Sequence, residues 1–196
     1  MEKVLKVLCL LLLLPLFVRA EFVVSSYQEL KNQRTIRQNY EESCGAAALA
    51  TLINLTDDKK LSELDLLKLF GDKELFTDMI SFAELRQSAH KLDYKSETYQ
   101  ITRENLDKLT DIPMLVKIED DPRFPHFVVI INHKGDFLEV LDPSHGEYLS
   151  LKSEFFSIWD RHKKGGYALF VETHNEYKDI DKKLSENLIF EFQGLK

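Results

Sequence analysis

The stretch QNYEESCGAAALATLINL, residues 38–55, decides the fold because it delivers a cysteine onto the first turn of an apolar helix. Ser43 is predicted as the N-cap, since its hydroxyl can accept one of the amide hydrogens left free at a helix start. Cys44 then lies where those amides and the helix dipole stabilise a thiolate, the reactive form of cysteine. Gly45 leaves room for another backbone to approach the thiol. Cys44 is thus either a nucleophile or one more small buried residue of a core helix.

Residues 1–20 are predicted to be a secretory signal peptide. Lys3 and Lys6 give a positive start, residues 7–18 form an apolar run, and small residues precede a cleavage point after Ala20. The run is short for a membrane span, which needs about 20 residues, so an uncleaved anchor is only the alternative. The segment predicts an exported protein, periplasmic or secreted, that would contact a membrane only through an uncleaved signal.

Charge and cysteine content narrow the function classes. The net charge is −7, and removal of residues 1–20, which carry +2, would change it to −9. An acidic chain of this kind is not expected to bind nucleic acid through its bulk charge. Cys9 lies within the predicted signal, so the mature chain keeps only Cys44 and no intramolecular disulfide can form. A lone thiol in an oxidising compartment favours a catalytic use of Cys44.

The remaining chain suits a single α+β domain over residues 21–175, with residues 176–196 as an extension that either adds a strand or stays a tail. Helical periodicity and capping signals come mainly in its first half, and short apolar runs in its second. The predicted helices follow residue 44 and span 61–70, ended by Gly71, then 81–92, 102–109 and 154–160. The predicted strands span residues 94–101, 113–118, 127–131, 137–141, 148–151 and 167–171, with a further one suggested at 22–24.

A cysteine nucleophile needs a base, and His126 is the best placed of the six histidines. It directly precedes a buried strand, and Asp142 ends the next strand, where a carboxylate can orient the imidazole. A three-residue turn with Gly135 in the left-handed conformation would set His126 directly opposite Asp142. His145 is the runner-up base. Alternatively, His126 is an ordinary strand-edge residue and Asp142 an ordinary turn residue.

Gln38 lies six residues before Cys44, on the segment that leads into the helix. Its side-chain amide could join the Cys44 backbone amide in binding an oxyanion. Taken alone, a glutamine in a polar loop carries no function. No metal site is expected, because the mature chain has one cysteine and no paired histidines at ligand spacing.

Three motifs taken together resemble the bacteriocin-processing cysteine peptidases, which cleave double-glycine leaders. They are QNYEESCGAAAL from residue 38, PHFVVI from residue 125 and VLDPSHG from residue 140. The resemblance implies a papain-like fold, with a helical half packed on an antiparallel sheet. It also implies catalytic roles for Cys44 as nucleophile, His126 as base, Asp142 as orienting group and Gln38 as oxyanion donor, and no cofactor.

The expected function is an exported cysteine endopeptidase whose substrate is a peptide or protein with small residues at the cleavage site. The best-known members of the family are cytoplasmic domains fused to an export transporter, whereas residues 1–20 of this chain predict an export signal. A secreted peptide, a surface protein or a pilus component is therefore the expected substrate. Two alternatives stay open: an acyl or amide transferase with the same triad, and a non-catalytic peptide-binding module of the same fold.

Overall fold

The computed structural model describes residues 24–57, 59–70, 80–119 and 125–172, together with the backbone of residues 190–191. The chain divides into two units, residues 1–30 and 31–196. The first is described only from residue 24, and helix α1 (Tyr27–Lys31) begins within it. The predicted signal peptide, most of the strand suggested at residues 22–24, and the helix end at Gly71 lie outside the described residues.

The second unit contains five further helices and seven strands within the described ranges. The helices are α2 (Cys44–Thr56), α3 (Glu63–Leu67), α4 (Phe82–Lys91), α5 (Arg103–Lys108) and α6 (Lys152–Trp159). The strands are β1 (Ser96–Ile101), β2 (Pro113–Ile118), β3 (His126–Asn132), β4 (Phe137–Asp142), β5 (Gly146–Leu151), β6 (Gly166–Val171) and β7 (Phe190–Glu191). The predicted type is confirmed for each of these that was expected. None of the described helices combines the length and apolar character needed to cross a membrane.

The seven strands form one sheet in the order β5-β4-β3-β2-β6-β1-β7, and every neighbouring pair is antiparallel. β7 pairs with β1 through residues 190 and 191, so part of the C-terminal extension does add a strand. Helices dominate the chain up to β1, and antiparallel strands dominate after it. The predicted α+β class is confirmed.

Helices cover both faces of the sheet, which gives the domain two apolar cores. Helices α2, α3 and α4 pack on one face, and α5 and α6 pack on the other. Strand β3 contributes to both: Phe127, Val129 and Ile131 belong to the first core, and Val128 and Ile130 to the second. A strand buried on both faces reads as a continuous apolar run rather than as an alternating one. That explains the uninterrupted run from residue 127 to residue 131.

Helix α2 is buried from Cys44 to Ile53, and its alanines allow close packing against the sheet. Ser43 is the N-cap residue, as predicted, but the predicted cap hydrogen bond is wrong, because its hydroxyl makes none. It contacts the Tyr40 carbonyl and the Glu63 carboxylate instead. The expectation for Gly45 is also corrected: a Cβ there would lie 3.3 Å from the Phe127 ring, so the glycine makes room for a side chain rather than for another backbone.

Helix α3 is shorter than predicted and turns a different face inward. Ser62 and Asp65 form a capping box that starts the helix at Glu63. Leucines at residues 61, 64, 67 and 69 recur at near-helical spacing, which predicts one buried face. Leu64 is nevertheless 53% exposed, whereas Leu66 is fully buried. Glu63 is also buried, with 3% of its surface exposed. A carboxylate therefore occupies a position where the leucine spacing predicted none.

Candidate active site

Cys44 is the first residue of α2 and is 4% exposed. It is a free cysteine. The helix that carries it packs against β3, the strand that begins at His126. The start of α2 and the start of β3 therefore meet at one end of the sheet, and this brings the thiol to the imidazole.

His126 and Asp142 are in contact, as predicted. The ring Nε2 of His126 lies 2.8 Å from Oδ1 of Asp142, which is buried at the end of β4. Because Nε2 is held by the carboxylate, Nδ1 is the ring nitrogen available to Cys44. A side-chain hydrogen bond with Cys44 also contributes to the electrostatics of His126.

The strand register that produces this contact differs from the prediction. Asn132 pairs with Leu138 rather than with Asp136, so the turn is two residues longer than expected. Extending the register sets Asp142 diagonal to His126 instead of directly opposite, and the predicted direct opposition is wrong. A shift of two residues keeps both side chains on the same face of the sheet, and a long side chain reaches a diagonal neighbour about 7–8 Å away. Gly135 has a φ of 99°, the left-handed conformation that was predicted for it.

The pKa values of the two groups move in opposite directions. Burial disfavours the charged form of His126, but hydrogen bonds with Asp142 and Cys44 and the negative charge of both raise its pKa to about 9. Burial likewise disfavours the ionised form of Asp142, but the hydrogen bond from His126 and its positive charge lower the pKa of that carboxyl to about 2. An imidazolium beside a carboxylate is therefore the stable state over a wide pH range around neutrality.

The turn after β4 also holds the carboxylate of Asp142. The backbone amide of Ser144 donates to Oδ1 at 2.7 Å, and that of His145 donates to the same atom at 3.2 Å. The ring Nδ1 of His145 lies 3.1 Å from Oδ2. His145, the runner-up base, thus contacts the orienting carboxylate and lines the same cleft. The geometry favours His126 as the base, because His126 is the histidine that also interacts with Cys44.

Gln38 lines the cleft but its side-chain amide is engaged with its own loop. Nε2 donates to the carbonyls of Tyr40 at 3.0 Å and Glu41 at 3.1 Å. Oε1 accepts from the Ser144 hydroxyl at 2.9 Å, and the Gln38 backbone amide donates to the Pro143 carbonyl at 3.1 Å. The role predicted for Gln38 as an oxyanion donor stays a prediction, because its amide hydrogens point to these carbonyls.

An open cleft of about 490 Å³ joins these groups. Burial and the nearby charge of Asp142 raise the pKa of Tyr148, on the cleft wall, to about 12, so its phenol is neutral at ordinary pH. Among the described residues, no group of three or more His, Cys, Asp or Glu side chains could hold a metal ion. The cleft is lined by Gln38, Glu41, Glu42, Cys44, Ile118, Pro125, His126, Asp142, Ser144, His145, Tyr148 and Ile158.

Sequence reasoning missed two residues that support these groups. Ser144 links the turn after β4 to Gln38, and Glu63 binds the loop before Cys44. A sequence signal existed for Ser144, since it follows the Asp-Pro pair whose aspartate was singled out. None existed for Glu63, because an acidic residue in the first turn of a helix is ordinarily explained by the helix dipole.

Comparison with known proteins identifies the family of this chain. The model of the Peptidase C39 family matches residues 32–176. LagD of Lactococcus lactis subsp. lactis, a lactococcin-G-processing and transport ATP-binding protein, is 28% identical over 155 residues, which are 74% of this chain and 20% of LagD. The "Probable functional amyloid protease FapD" of Pseudomonas aeruginosa is 28% identical over 141 residues, 70% of this chain and 62% of FapD. The chain thus spans about a fifth of the transporter relative and less than two thirds of FapD.

Two solved structures share the fold. The peptidase domain of Streptococcus ComA, a bi-functional ABC transporter, superposes with a TM-score of 0.61 at 21% identity, covering 71% of this chain and 98% of that domain. A double glycine motif protease from an AMS/PCAT transporter, in complex with its leader peptide, gives a TM-score of 0.56 at 22% identity, covering 70% and 89%. The family match extends over most of the 196 residues, so the chain belongs to the Peptidase C39 family and is a cysteine peptidase of papain-like α+β fold.

Proposed function

We propose that this chain is an exported endopeptidase that cuts a secreted or surface peptide through Cys44, His126 and Asp142. One observation carries the proposal: His126 bonds Asp142 at 2.8 Å, and Cys44 lines the same open cleft close enough to raise the pKa of His126. Nucleophile, base and orienting group are the parts that thiol-based acyl transfer requires. Membership of the Peptidase C39 family supports the same chemistry.

The reaction starts from the ion pair of the Cys44 thiolate and the His126 imidazolium, which forms when the Cys44 thiol transfers its proton to Nδ1 of His126. The raised pKa of His126 favours the imidazolium that results. The thiolate attacks the carbonyl carbon of the scissile peptide bond, and His126 gives its proton to the departing amine. Water then attacks the thioester with His126 as the base, which releases the acid and restores the thiol.

The oxyanion of each tetrahedral intermediate is stabilised by the Cys44 backbone amide and by the Gln38 side chain. Gln38 has to redirect one amide hydrogen away from its loop. The Tyr40 carbonyl can release it, because that oxygen also accepts from the Ser43 amide at 3.3 Å and lies 2.7 Å from the Ser43 hydroxyl. Such a donor contributes on the order of 10²–10³ to kcat.

The substrate class follows from the relatives rather than from the cleft alone. A related protease is named for a double glycine motif and was solved with a leader peptide. FapD is named as a functional amyloid protease. We therefore propose an extended peptide segment with small residues at the cleavage point. Export through residues 1–20 would bring the enzyme to substrates outside the cytoplasm.

Peptidomics of the exported fraction tests the activity. Cells that make the wild-type protein are compared with cells that make Cys44→Ala, and candidate cleavage sites are then tested as synthetic peptides with purified protein. We expect peptide fragments only with the wild type, because Cys44→Ala removes the nucleophile and only one sulfur's volume from the core. Equal cleavage by both proteins would contradict the proposal, and a product extended by an added amine would identify the transferase instead.

Thiol alkylation separates an enzyme from a binding module. An activated Cys44 should react rapidly and selectively with a small alkylating reagent at mildly acidic pH, whereas an unactivated thiol should not. For export, cell fractions are compared with and without residues 2–20. Retention of the truncated protein in the cytoplasm, with the full chain outside it, is the expected result.

A further inference from the structure

Glu63 is a buried carboxylate that the proposed chemistry does not use. It is the first residue of α3 and is 3% exposed. Within the described ranges no basic side chain forms an ion pair with it. Carboxylates are seldom buried to this degree unless they are paired or fully hydrogen-bonded, so the contacts of Glu63 need an explanation.

Among the described residues, the hydrogen bonds of the Glu63 side chain all go to one short segment, the loop of residues 39–43. Oε1 accepts from the Asn39 backbone amide at 2.9 Å, and Oε2 accepts from the Asn39 side-chain amide at 2.6 Å. The Ser43 hydroxyl also bonds Oε1. A single carboxylate on α3 therefore holds both ends of this loop.

This loop joins the two groups proposed to bind the oxyanion. Gln38 directly precedes it and Cys44 directly follows it. The loop also supplies the Tyr40 and Glu41 carbonyls that hold the Gln38 side chain. A displacement of the loop would move both oxyanion donors, whereas the contact of His126 with Asp142 belongs to the strands and does not depend on it.

We propose that Glu63 is a positioning residue that holds the loop of residues 39–43, and through it the oxyanion donors, for catalysis. The inference rests on the proposed peptidase function and adds a residue to it. Glu63 touches no reacting atom. Its effect passes through the backbone of the loop, and a misplacement of about 1 Å at a catalytic group can reduce the rate about 10²-fold.

Two variants of similar volume separate this role from simple packing. Glu63→Met removes every acceptor, so the Asn39 backbone and side-chain amides lose their partner, whereas the Ser43 hydroxyl can still donate to the Tyr40 carbonyl. Glu63→Gln keeps the contacts: its Oε1 accepts from the Asn39 backbone amide and the Ser43 hydroxyl. The NH₂ group of the introduced glutamine faces the Asn39 side chain. The Asn39 amide can flip so that its Oδ1 accepts a hydrogen bond from that group. The conservative variant should therefore rescue what Glu63→Met loses.

The test measures kcat on a cleaved peptide and the alkylation rate of Cys44 in the full chain, well below the unfolding temperature. We expect Glu63→Met to lower kcat about 10²-fold, while alkylation, which depends on His126 and Asp142, stays near the wild-type rate. Glu63→Gln should remain near wild type in both. Asp65→Ala is the control, because it loosens the capping box of α3 without touching the loop.

Two other outcomes would contradict the positioning role of Glu63. Wild-type kcat in Glu63→Met shows that the loop does not need the carboxylate, and equal loss of alkylation shows general damage to the site. Hydrogen exchange at the Asn39 amide keeps this test independent of peptidase activity: Glu63→Met should accelerate it and Glu63→Gln should not. If the wild type cleaves no peptide, the proposed function fails, and this exchange measurement alone decides whether Glu63 holds the loop.

Discussion

The two sides of the cleft are held by different physical means. On the strand side, His126 and Asp142 stabilise each other through opposite charges, and their pKa values separate to about 9 and about 2. On the loop side, Gln38 and the residues before Cys44 are held by hydrogen bonds, including the one that Glu63 accepts from the Asn39 backbone amide. Changes on the strand side should therefore alter the pH dependence of activity. Changes on the loop side should alter kcat by moving the oxyanion donors.

The largest loss of activity should come from a substitution on the strand side. His126→Ala deletes the base and the partner of the thiolate, so we expect turnover to fall by about 10⁶ and selective alkylation of Cys44 to disappear. His133→Ala is the matched control, since His133 lies in the turn of the same hairpin and pairs with Asp111. If His126→Ala retained rapid alkylation, another group would have to activate the thiol.

A smaller loss is expected on the loop side. Gln38→Ala removes one proposed oxyanion donor, which should reduce kcat by roughly 10²–10³ while alkylation of Cys44 is preserved. Gln100→Ala, a glutamine that bonds the Lys164 carbonyl away from the cleft, serves as the control. Loss of alkylation as complete as in His126→Ala would mean that Gln38 supports the loop rather than the oxyanion.

The pH dependence of kcat/KM gives a third and sharper test of the strand side. Asp142 raises the pKa of His126, so the imidazolium persists until the pH rises through about 9. Asp142→Asn removes that negative charge, and the alkaline limb of the kcat/KM profile should move toward the ordinary histidine value of about 6.5. At pH 8 the loss would be up to about 30-fold, because the protonated fraction of His126 falls accordingly.

Asp111→Asn is the control for that shift. It alters a different histidine–aspartate pair, His133 with Asp111, which is exposed and lies away from the cleft. We expect its pH profile to match that of the wild type. An unmoved alkaline limb in Asp142→Asn would show that the carboxylate does not set the titration of His126.

The smallest effect concerns Ser144, whose side chain links the two sides of the cleft. Ser144 donates its backbone amide to Asp142 and its hydroxyl to Gln38. Ser144→Ala removes only the hydroxyl, a hydrogen bond worth about 1 kcal/mol, so kcat should fall about 5-fold with an unchanged pH profile. Ser150→Ala, on exposed β5, is the control. A shift of the alkaline limb in Ser144→Ala would show that the two sides are coupled more tightly than their separate contacts suggest.

Much of this domain could be predicted from local sequence. The helix predicted from residue 81, which Ser81 and Glu84 start with a capping box, the apolar run of β3 and the turn glycine Gly135 all depend on signals within a few residues, and the structure has each of them. The site candidates were found in the same way, because a cysteine at a helix start and a histidine at a strand start are local features. The roles of these residues stay predictions until the variants above are measured.

Tertiary structure decided what depends on residues far apart in the chain. The hairpin register set Asp142 diagonal to His126, since turn length is weakly encoded while the alternation of faces is strongly encoded. Besides the nearby Tyr40 carbonyl, the Ser43 hydroxyl contacts Glu63, twenty residues away, rather than the helix that Ser43 precedes. Local sequence determined which elements form and which residues can react, because propensity and periodicity act over a few residues. Only packing decided which neutral donors meet which carboxylate, because those contacts join segments that no local pattern connects.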